Sequence, residues 1–473
     1  MGNVERSIGF PMGDSTRSPK RPIVTIIIIA VNIAVYAITS YTNYFLEVSD
    51  YWVSAGGFVP SLIALPPQWY RVFASMFLHA DFFHILFNMY FLYLFGRAVE
   101  NVLGKSKYLA LYLISGIAAS IFHTAFSFIG GFTAYVIPAI GASGAISGVL
   151  GAYLILYPGT SLVMGWFFFI FPVFFKMKAA YYLIFWFATQ IIYGYASAAG
   201  STAVFAHAGG FIAGIALLPL LVNKEKISQL KMLRNIAFPP YLTFMPQKTG
   251  GLGRITKAIV TVLLASLLVG TAYASAGLTS QGNIKAITIQ YTCDGTPYTD
   301  YVGIQLPDIE SQLASISLDE TRILLNRLYA AGLIYNVSKA NSELNLSNWT
   351  RELPIKVAVG DSATVVHINT TIDFRGIYDA EGFLEYGVGN LTTRVVSFQF
   401  IYGTIYVAQS EPITYSFELS SQTVNLTGVM QYTGASSTLF SAAALVIVIK
   451  KDKELAVVGE EPETFWRRFE PII

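Results

Sequence analysis

Apolar runs of helix length recur along the N-terminal part of the chain. Residues 23–41, 82–101, 108–129, 141–157, 179–196 and 202–222 are dominated by Ile, Leu, Val, Phe, Ala and Gly, and runs of that length reach across the roughly 30 Å of a bilayer's hydrocarbon core. The pattern predicts six spans within 23–222. The first run has no small-residue cleavage site at its end, so it reads as a retained span and not a removed signal. A seventh run, 258–276, follows a linker, 223–257, that is broken by Pro239, Pro240, Pro246 and Gly250-Gly251. Ahead of the first span, residues 1–22 are polar and carry Pro11, Pro19 and Pro22, the pattern of a disordered tail.

Two connections depart from plain loops. Residues 43–80 hold Trp52, Trp69 and Tyr70 among Pro60, Pro66 and Pro67. Amphipathic aromatics belong at a membrane interface and the prolines preclude one continuous helix, so a structured loop in the outer leaflet is expected. Leu162 to Phe175 is strongly apolar but short for a span, and is expected to be an interfacial or re-entrant piece.

Beyond residue 277 the period changes. Alternation around Ile284–Tyr291, Ile355–Val359, Val365–Ile372 and Val395–Val407 predicts strands, with one helical pattern near 308–333. Residues 277–473 are thus expected to form a mainly β domain. Within it, the apolar run Leu439–Ile449, followed by Lys450, Lys451 and Lys453, reads in two ways: as the core of an eighth span, 433–449, or as part of a β-hairpin pairing Leu445–Ile449 with Leu455–Val458. About a dozen strongly apolar residues is short for a span, which favours the hairpin.

At 54% hydrophobic and 12% charged, the 473 residues have the composition of a membrane protein, with the lipid bilayer as their surroundings. A net charge of +2 supplies no basic field for a nucleic-acid partner. The distribution of charge sets orientation. Arg97, Lys105, Lys107, Lys176, Lys178, Lys224, Lys226, Lys231 and Arg234 fall in or face the loops on the N-terminal side, against Arg71 opposite, and such residues collect on the cytoplasmic side. The expectation is a multi-pass protein of the plasma membrane, its N-terminus and linker cytoplasmic and residues 277–473 extracellular. That outer part carries Asn-X-Ser/Thr at Asn336, Asn345, Asn348, Asn369, Asn390 and Asn425, candidates for glycosylation. The lone Cys293 excludes an intramolecular disulfide framework and a cysteine-based zinc site. His79, His84, His123, His207 and His367 lack HExxH spacing, so no metal and no cofactor is expected.

Polar groups inside apolar spans mark function, because they are costly there. Three such places occur: His84 with Asn88, Ser143 within Gly141-Ala142-Ser143-Gly144, and Ala206-His207-Ala208-Gly209-Gly210. Spans two, four and six run in the same direction, and His84, Ser143 and His207 lie in their first turns. At about 1.5 Å per residue the three groups share one layer, about 10 Å below the outer surface. A serine hydroxyl becomes a nucleophile when a neutral imidazole takes its proton, which makes Ser143 and His207 a candidate pair. Gly144 with Gly148 and Gly210 with Gly214 form GxxxG patterns that let two helices approach closely. A tetrahedral intermediate needs donors for its oxyanion. His84 and Asn88, four apart on one helix face, and the Ser143 amide at a helix N-terminus are candidates. Asp81 lies on the loop side of this layer, so the pattern points to a Ser-His dyad without an acidic third member.

These residues resemble the rhomboid family of intramembrane serine proteases. The resemblance covers about residues 20–222. It is carried by Trp69-Tyr70-Arg71, by His79 to Asn88 (HADFFHILFN), by Gly96-Arg97-Ala98-Val99-Glu100, by Gly141-Ala142-Ser143-Gly144, by Trp186 with Gln190, and by Ala206-His207-Ala208-Gly209-Gly210. It implies a six-helix core extended here by a seventh helix and a β domain. By resemblance Ser143 is the nucleophile, His207 the base, His84 and Asn88 line the oxyanion hole, and Arg71 is the family's outer-loop arginine. The implied activity is serine endopeptidase cleavage of single-span membrane proteins near the outer face. Tyr70 intervenes between the loop tryptophan and arginine, and Ser147 stands where some members place an aromatic beneath the histidine. Two competing readings have less support. A non-catalytic rhomboid-like scaffold usually lacks the serine or the histidine, and both are present here. A transporter with a histidine proton relay would be expected to show inverted repeats or interrupted helix pairs.

Overall fold

The computed structural model describes residues 9–14, 21–168, 171–196, 204–237, 250–278, 280–314, 316, 318–359, 362–401 and 404–460. Each predicted span is helical: α1 (Ile23–Thr39), α2 (Phe82–Leu103), α3 (Lys105–Phe126), α4 (Ser143–Leu156), α5 (Ala179–Tyr195), α6 (Val204–Leu221) and α7 (Arg254–Ala276). A further helix, α8 (Leu426–Lys450), follows the β region. Helices α2, α3, α6, α7 and α8 are each long and apolar enough to cross a membrane, and α1 and α4 are shorter apolar helices. The chain is a polytopic α-helical membrane protein with a mainly β C-terminal region. Chain contacts divide it into two units: one takes the chain up to Val48, Gly57–Ser280 and everything from Gly428, and the other Ser49–Gly56 with Gln281–Thr427.

In the first unit, α4 lies at the centre. Every residue from Gly144 to Leu156 is buried, and the helix packs against α2, α3 and α6. Its glycines explain the fit. A Cβ on Gly210 or Gly214 would overlap the carbonyl of Gly144 or Gly148, and a Cβ on Gly144 or Gly148 would overlap Ala119 or Ser115 of α3. The backbones of α4 and α6 therefore touch directly, as small-residue motifs allow. At the far side Glu100 of α2 caps α1: its carboxylate accepts from the amides of Val24 and Thr25 at 2.9 Å and from the Thr25 hydroxyl at 2.8 Å. A carboxylate at a helix N-terminus satisfies free N–H groups and complements the helix dipole.

Two expectations are corrected and a third is made specific. First, α8 replaces the hairpin, since Leu445–Ile449 are helical. The run looked short because the preceding residues are hydroxyl-rich. Three of those hydroxyls bond back to their own helix, Thr433 to Val429, Ser436 to Tyr432 and Thr438 to Gly434, which lowers their cost in an apolar helix, while the buried Ser437 and Ser441 hydroxyls have no hydrogen-bond partner among the described residues. Leu455–Val458 instead leads a segment that ties two helices together. The amides of Val457 and Val458 donate to the Leu156 carbonyl at the end of α4. Asp452 accepts from the Leu252 amide and from Lys257, and Glu460 from the Gly253 amide and Thr256, all at the start of α7. Second, part of the tail is ordered: β1 (Gly9–Asp14) pairs antiparallel with β2 (Ser161–Phe168). Residues 1–8 and 15–20 of the tail lie outside the described residues. Third, Leu162 to Phe175, expected to be an interfacial or re-entrant piece and not a span, belongs to a hairpin of β2 with β3 (Phe171–Lys178). The linker begins as a helix, Lys224–Ala237; its residues 238–249, like 202–203 and 461–473, lie outside the described residues.

The second unit is built on a six-stranded antiparallel sheet in the order β5-β4-β11-β8-β7-β6. Its strands are β4 (Asn283–Cys293), β5 (Thr296–Ile304), β6 (Glu343–Val359), β7 (Ser362–Tyr378), β8 (Leu384–Thr393) and β11 (Ile413–Asn425); β9 (Val396–Ile401) and β10 (Thr404–Gln409) form a separate hairpin. The helices Ile309–Ala314 and Asp319–Ala330 bury Leu313, Leu324, Leu325 and Leu328 against Ile287, Ile289, Phe374 and Phe417 of the sheet. Hydroxyl and amide pairs, Thr350 with Thr371, Thr392 with Thr414 and Ser416 with Asn390, join neighbouring strands on exposed positions. The unit also includes the short helix Asp50–Gly56, whose Tyr51 meets Tyr298 edge-on at 6.5 Å and whose Ser54 hydroxyl donates to Asp300. Asn345, Asn348, Asn369, Asn390 and Asn425 are exposed; Asn336 is half-buried, its Oδ1 accepting from Ser338.

Candidate active site

Ser143 is the first residue of α4, reached through Gly141 at φ +130, a conformation that L side chains rarely adopt. The Gly141 amide donates to the Ser75 carbonyl at 2.8 Å, which pins the turn before the serine. Across the glycine contact, Nε2 of His207 lies 2.7 Å from Oγ of Ser143. On its other side Nδ1 of His207 lies 2.8 Å from Oε1 of Gln190 on α5. An amide oxygen only accepts, so Nδ1 carries the ring hydrogen and Nε2 is free to accept from the serine hydroxyl. The Trp186 ring flanks the imidazole at 6.0 Å. The Ser147 hydroxyl turns back to the Ser143 carbonyl at 2.6 Å.

His84 stands in the first turn of α2, which Asp81 caps by accepting from the His84 amide at 2.9 Å. Nδ1 of His84 accepts from the Ala80 amide at 3.3 Å, leaving Nε2 to carry the hydrogen. A Cβ placed on Gly141 would lie 2.9 Å from Nε2 of His84 and 3.5 Å from Oγ of Ser143, so the ring edge borders the serine. The fully buried His79 packs edge-on against His84 at 5.1 Å. Ser143, His207 and His84 are thus brought together. Asn88 is buried on the same helix, and its amide nitrogen donates to the His84 carbonyl at 2.8 Å, inside its own helix.

Residues of the loop between α1 and α2 support the site from behind. Arg71 is 1% exposed; its Nε donates to Gln68 at 2.9 Å and a terminal nitrogen to the Gly57 carbonyl at 2.8 Å. The insertion of Tyr70 is accommodated by a tight turn, Pro66–Gln68, leading into the short helix Tyr70–Ala74. Phe58 exchanges backbone hydrogen bonds with Ala139, joining this loop to the segment before Ser143. Arg97 is half-buried on α2, one turn from the capping Glu100. Beside Ser143 lies a cavity of about 50 Å³ lined by Phe58, Ser75, Met76, Ser120, His123 and Gly141 among others. Two features escaped the sequence reading. His123, singled out in the sequence only as one of five histidines without metal-ligand spacing, lines this cavity; its place on α3 three residues beyond Ser120 was the available signal. Gln190 was noted only as part of a motif; an amide within an apolar helix was the available signal.

Residues 66–224 match the rhomboid domain model. This stretch of the chain is a rhomboid domain. It is 31% identical over 146 residues to rhomboid protein 1, mitochondrial, of Saccharomyces cerevisiae, covering 31% of this chain and 39% of that protein. It is 38% identical over 94 residues to the putative rhomboid protease YdcA of Bacillus subtilis (19% and 42%) and 36% identical over 101 residues to the rhomboid protease AarA of Providencia stuartii (20% and 36%). The matches span less than half of each of these relatives. The relatives sit in more than one compartment, two bacterial proteins beside a mitochondrial one. The multi-pass membrane location rests instead on the helices of this chain that are long and apolar enough to cross a membrane.

Proposed function

We propose that this chain is an intramembrane serine endopeptidase acting on single-span membrane proteins near the outer membrane face. The observation that carries the reading is the 2.7 Å contact between Oγ of Ser143 and Nε2 of His207. As a substrate carbonyl approaches, the hydroxyl proton passes to Nε2 and Oγ bonds to the carbonyl carbon. The carbonyl electrons move to oxygen, where the Nε2–H of His84, the Ser143 amide and the Asn88 hydrogen not given to the His84 carbonyl are the proposed donors. Collapse breaks the C–N bond, and the departing amine takes the proton from Nε2. Water then follows the same route to free the acid and restore the serine. No cofactor or metal enters this scheme.

The cavity of about 50 Å³ beside Ser143 suits a small side chain or a few waters, a water needing roughly 10–15 Å³ of such space. Substrates would present small or helix-destabilising residues, because freeing a carbonyl from a helix inside lipid costs several kcal/mol. The segments are assigned as 1–22 cytosolic tail, 23–222 protease core, 223–257 cytosolic linker, 258–276 seventh span and the β region outside, in the plasma membrane. An eighth crossing by α8 returns the chain to the N-terminal side. That agrees with Lys450, Lys451 and Lys453 at its end and with the bonds of 452–460 to the starts and ends of α7 and α4. The exposed sequons Asn345, Asn348, Asn369, Asn390 and Asn425, and Asn336 with them, would then be open to glycosylation.

The test is labelling of the detergent-solubilised full chain with a fluorophosphonate. A covalent adduct mapped to Ser143 and lost in His207→Ala is expected. No adduct at Ser143 would favour the non-catalytic scaffold.

A further inference from the structure

We infer that Gln190 is the positioning residue of the base, standing where a soluble hydrolase would place an acid; the inference rests on the Ser143–His207 reading. The polar groups here form one directed chain. The Thr189 hydroxyl donates to the Trp186 carbonyl at 2.6 Å, and the Gln190 amide nitrogen donates to the Thr189 oxygen at 3.3 Å and to the Trp186 carbonyl at 3.4 Å. This fixes which end of the amide faces His207: the oxygen, 2.8 Å from Nδ1. The ring is then held as the tautomer whose Nε2 accepts from Ser143, 2.7 Å away. The opposite tautomer would put a hydrogen between Nε2 and the serine oxygen and leave the hydroxyl without a base.

The choice of an amide follows from the surroundings. Thr189 and Gln190 sit within α5, an apolar helix, and α6 opposite is apolar on both sides of His207. An ionised carboxylate there would carry a large desolvation cost, whereas a fully bonded amide does not. A neutral acceptor still stabilises the doubly protonated ring during proton transfer, since Nδ1 keeps its hydrogen bond throughout. The serine proton moves only to Nε2. Other titratable groups that His207 feels are His84 and His123; neither bonds to Nδ1.

The experiment compares Gln190→Leu and Gln190→Glu with the wild type in the full chain, by turnover of a single-span substrate and by the rate of fluorophosphonate labelling of Ser143. Leu removes the acceptor at similar volume; kcat and labelling rate should fall about 10- to 100-fold, the scale of one buried hydrogen bond to a charged group, with KM nearly unchanged. Glu restores an acceptor and should recover much of that loss. If its carboxylate ionises, it also moves the acid limb of the kcat/KM profile to higher pH, because a negative charge favours the protonated ring. A purely packing role would leave the pH profile alone and would not distinguish Glu from Leu. Wild-type kcat and labelling in Gln190→Leu, with Ser143→Ala inactive, would overturn the inference and leave the dyad standing. Full activity in Ser143→Ala would overturn both.

Discussion

The backbone contact between α4 and α6 sets the distance between nucleophile and base, and Gly210→Ala tests it. Gly210 lies three residues after His207 and so on the same side of α6. An added methyl would overlap the Gly144 carbonyl, which belongs to the residue directly after Ser143. The methyl would start 1.9 Å from that oxygen, so the helices must part by about 1.5 Å before the two reach ordinary van der Waals separation. That stretches the Oγ–Nε2 distance from 2.7 Å beyond the limit of a hydrogen bond. Overpacking of this kind costs about 1–3 kcal/mol of stability, which a well-packed core survives. A displacement of about 1 Å between reacting groups costs on the order of 100-fold in rate. We expect Gly210→Ala to fold, to unfold at a modestly lower temperature in detergent, and to lose about 100-fold in cleavage rate. Leu220→Ala, on a lipid-exposed position 78% open, should leave the rate unchanged. Wild-type turnover in Gly210→Ala would refute the view that this contact sets the geometry.

Glu100→Gln should lower stability by about 2–4 kcal/mol, because an amide keeps one acceptor for three donors and turns its own N–H groups toward the α1 amides; an unchanged thermal unfolding temperature in detergent would count against the capping role. In the β unit, burial pushes the Asp379 carboxyl up, but the hydrogen bond from Lys285 at 2.6 Å and those from the Phe383 and Glu381 amides outweigh it and hold it below its ordinary value. A depressed carboxyl contributes stability above its unfolded pKa of about 4 that is lost as pH falls through the lower folded value. Hydrogen-exchange protection factors at β4 and β7, which are corrected for the slower intrinsic exchange in acid, should fall on acidification in the wild type and show a weaker acid dependence in Asp379→Asn, and equal dependence would contradict this. Asp300→Ala removes the acceptor of Ser54; limited proteolysis within 49–56 should then quicken, and an unchanged cutting rate would mean the Tyr51–Tyr298 contact alone holds that segment.

Much of this architecture was legible because its signals are local. Seven helices fall within a few residues of the apolar runs, since length and hydropathy alone decide a span. Ser143, His207 and His84 could be placed together because three parallel spans carry them at equal depth. What escaped depends on partners distant in sequence. The strand Gly9–Asp14 contains Pro11 and pairs with residues about 150 positions away, and nothing in its own pattern marks it. The strands β5 and β8 alternate weakly, with Gly387 and Gly389 interrupting β8; β11 alternates cleanly through Tyr415, Phe417 and Leu419 and could have been read from its own pattern. Helix α8 was hidden by hydroxyls, of which Thr433, Ser436 and Thr438 bond to the turn before them. Asn88 shares a face with His84 as its spacing requires, yet its amide first serves the His84 carbonyl, an intrahelical bond that spacing alone does not reveal. Gln190 required the side-chain chain from Trp186 to His207.

The central claim is that Ser143 is a nucleophile driven by His207. Its most direct measurement is cleavage of a single-span substrate in proteoliposomes by the wild type, Ser143→Ala and His207→Ala, with folding checked by thermal unfolding. The account predicts cleavage by the wild type within the outer part of the substrate helix and none by either folded variant. Undiminished cleavage by Ser143→Ala would contradict it.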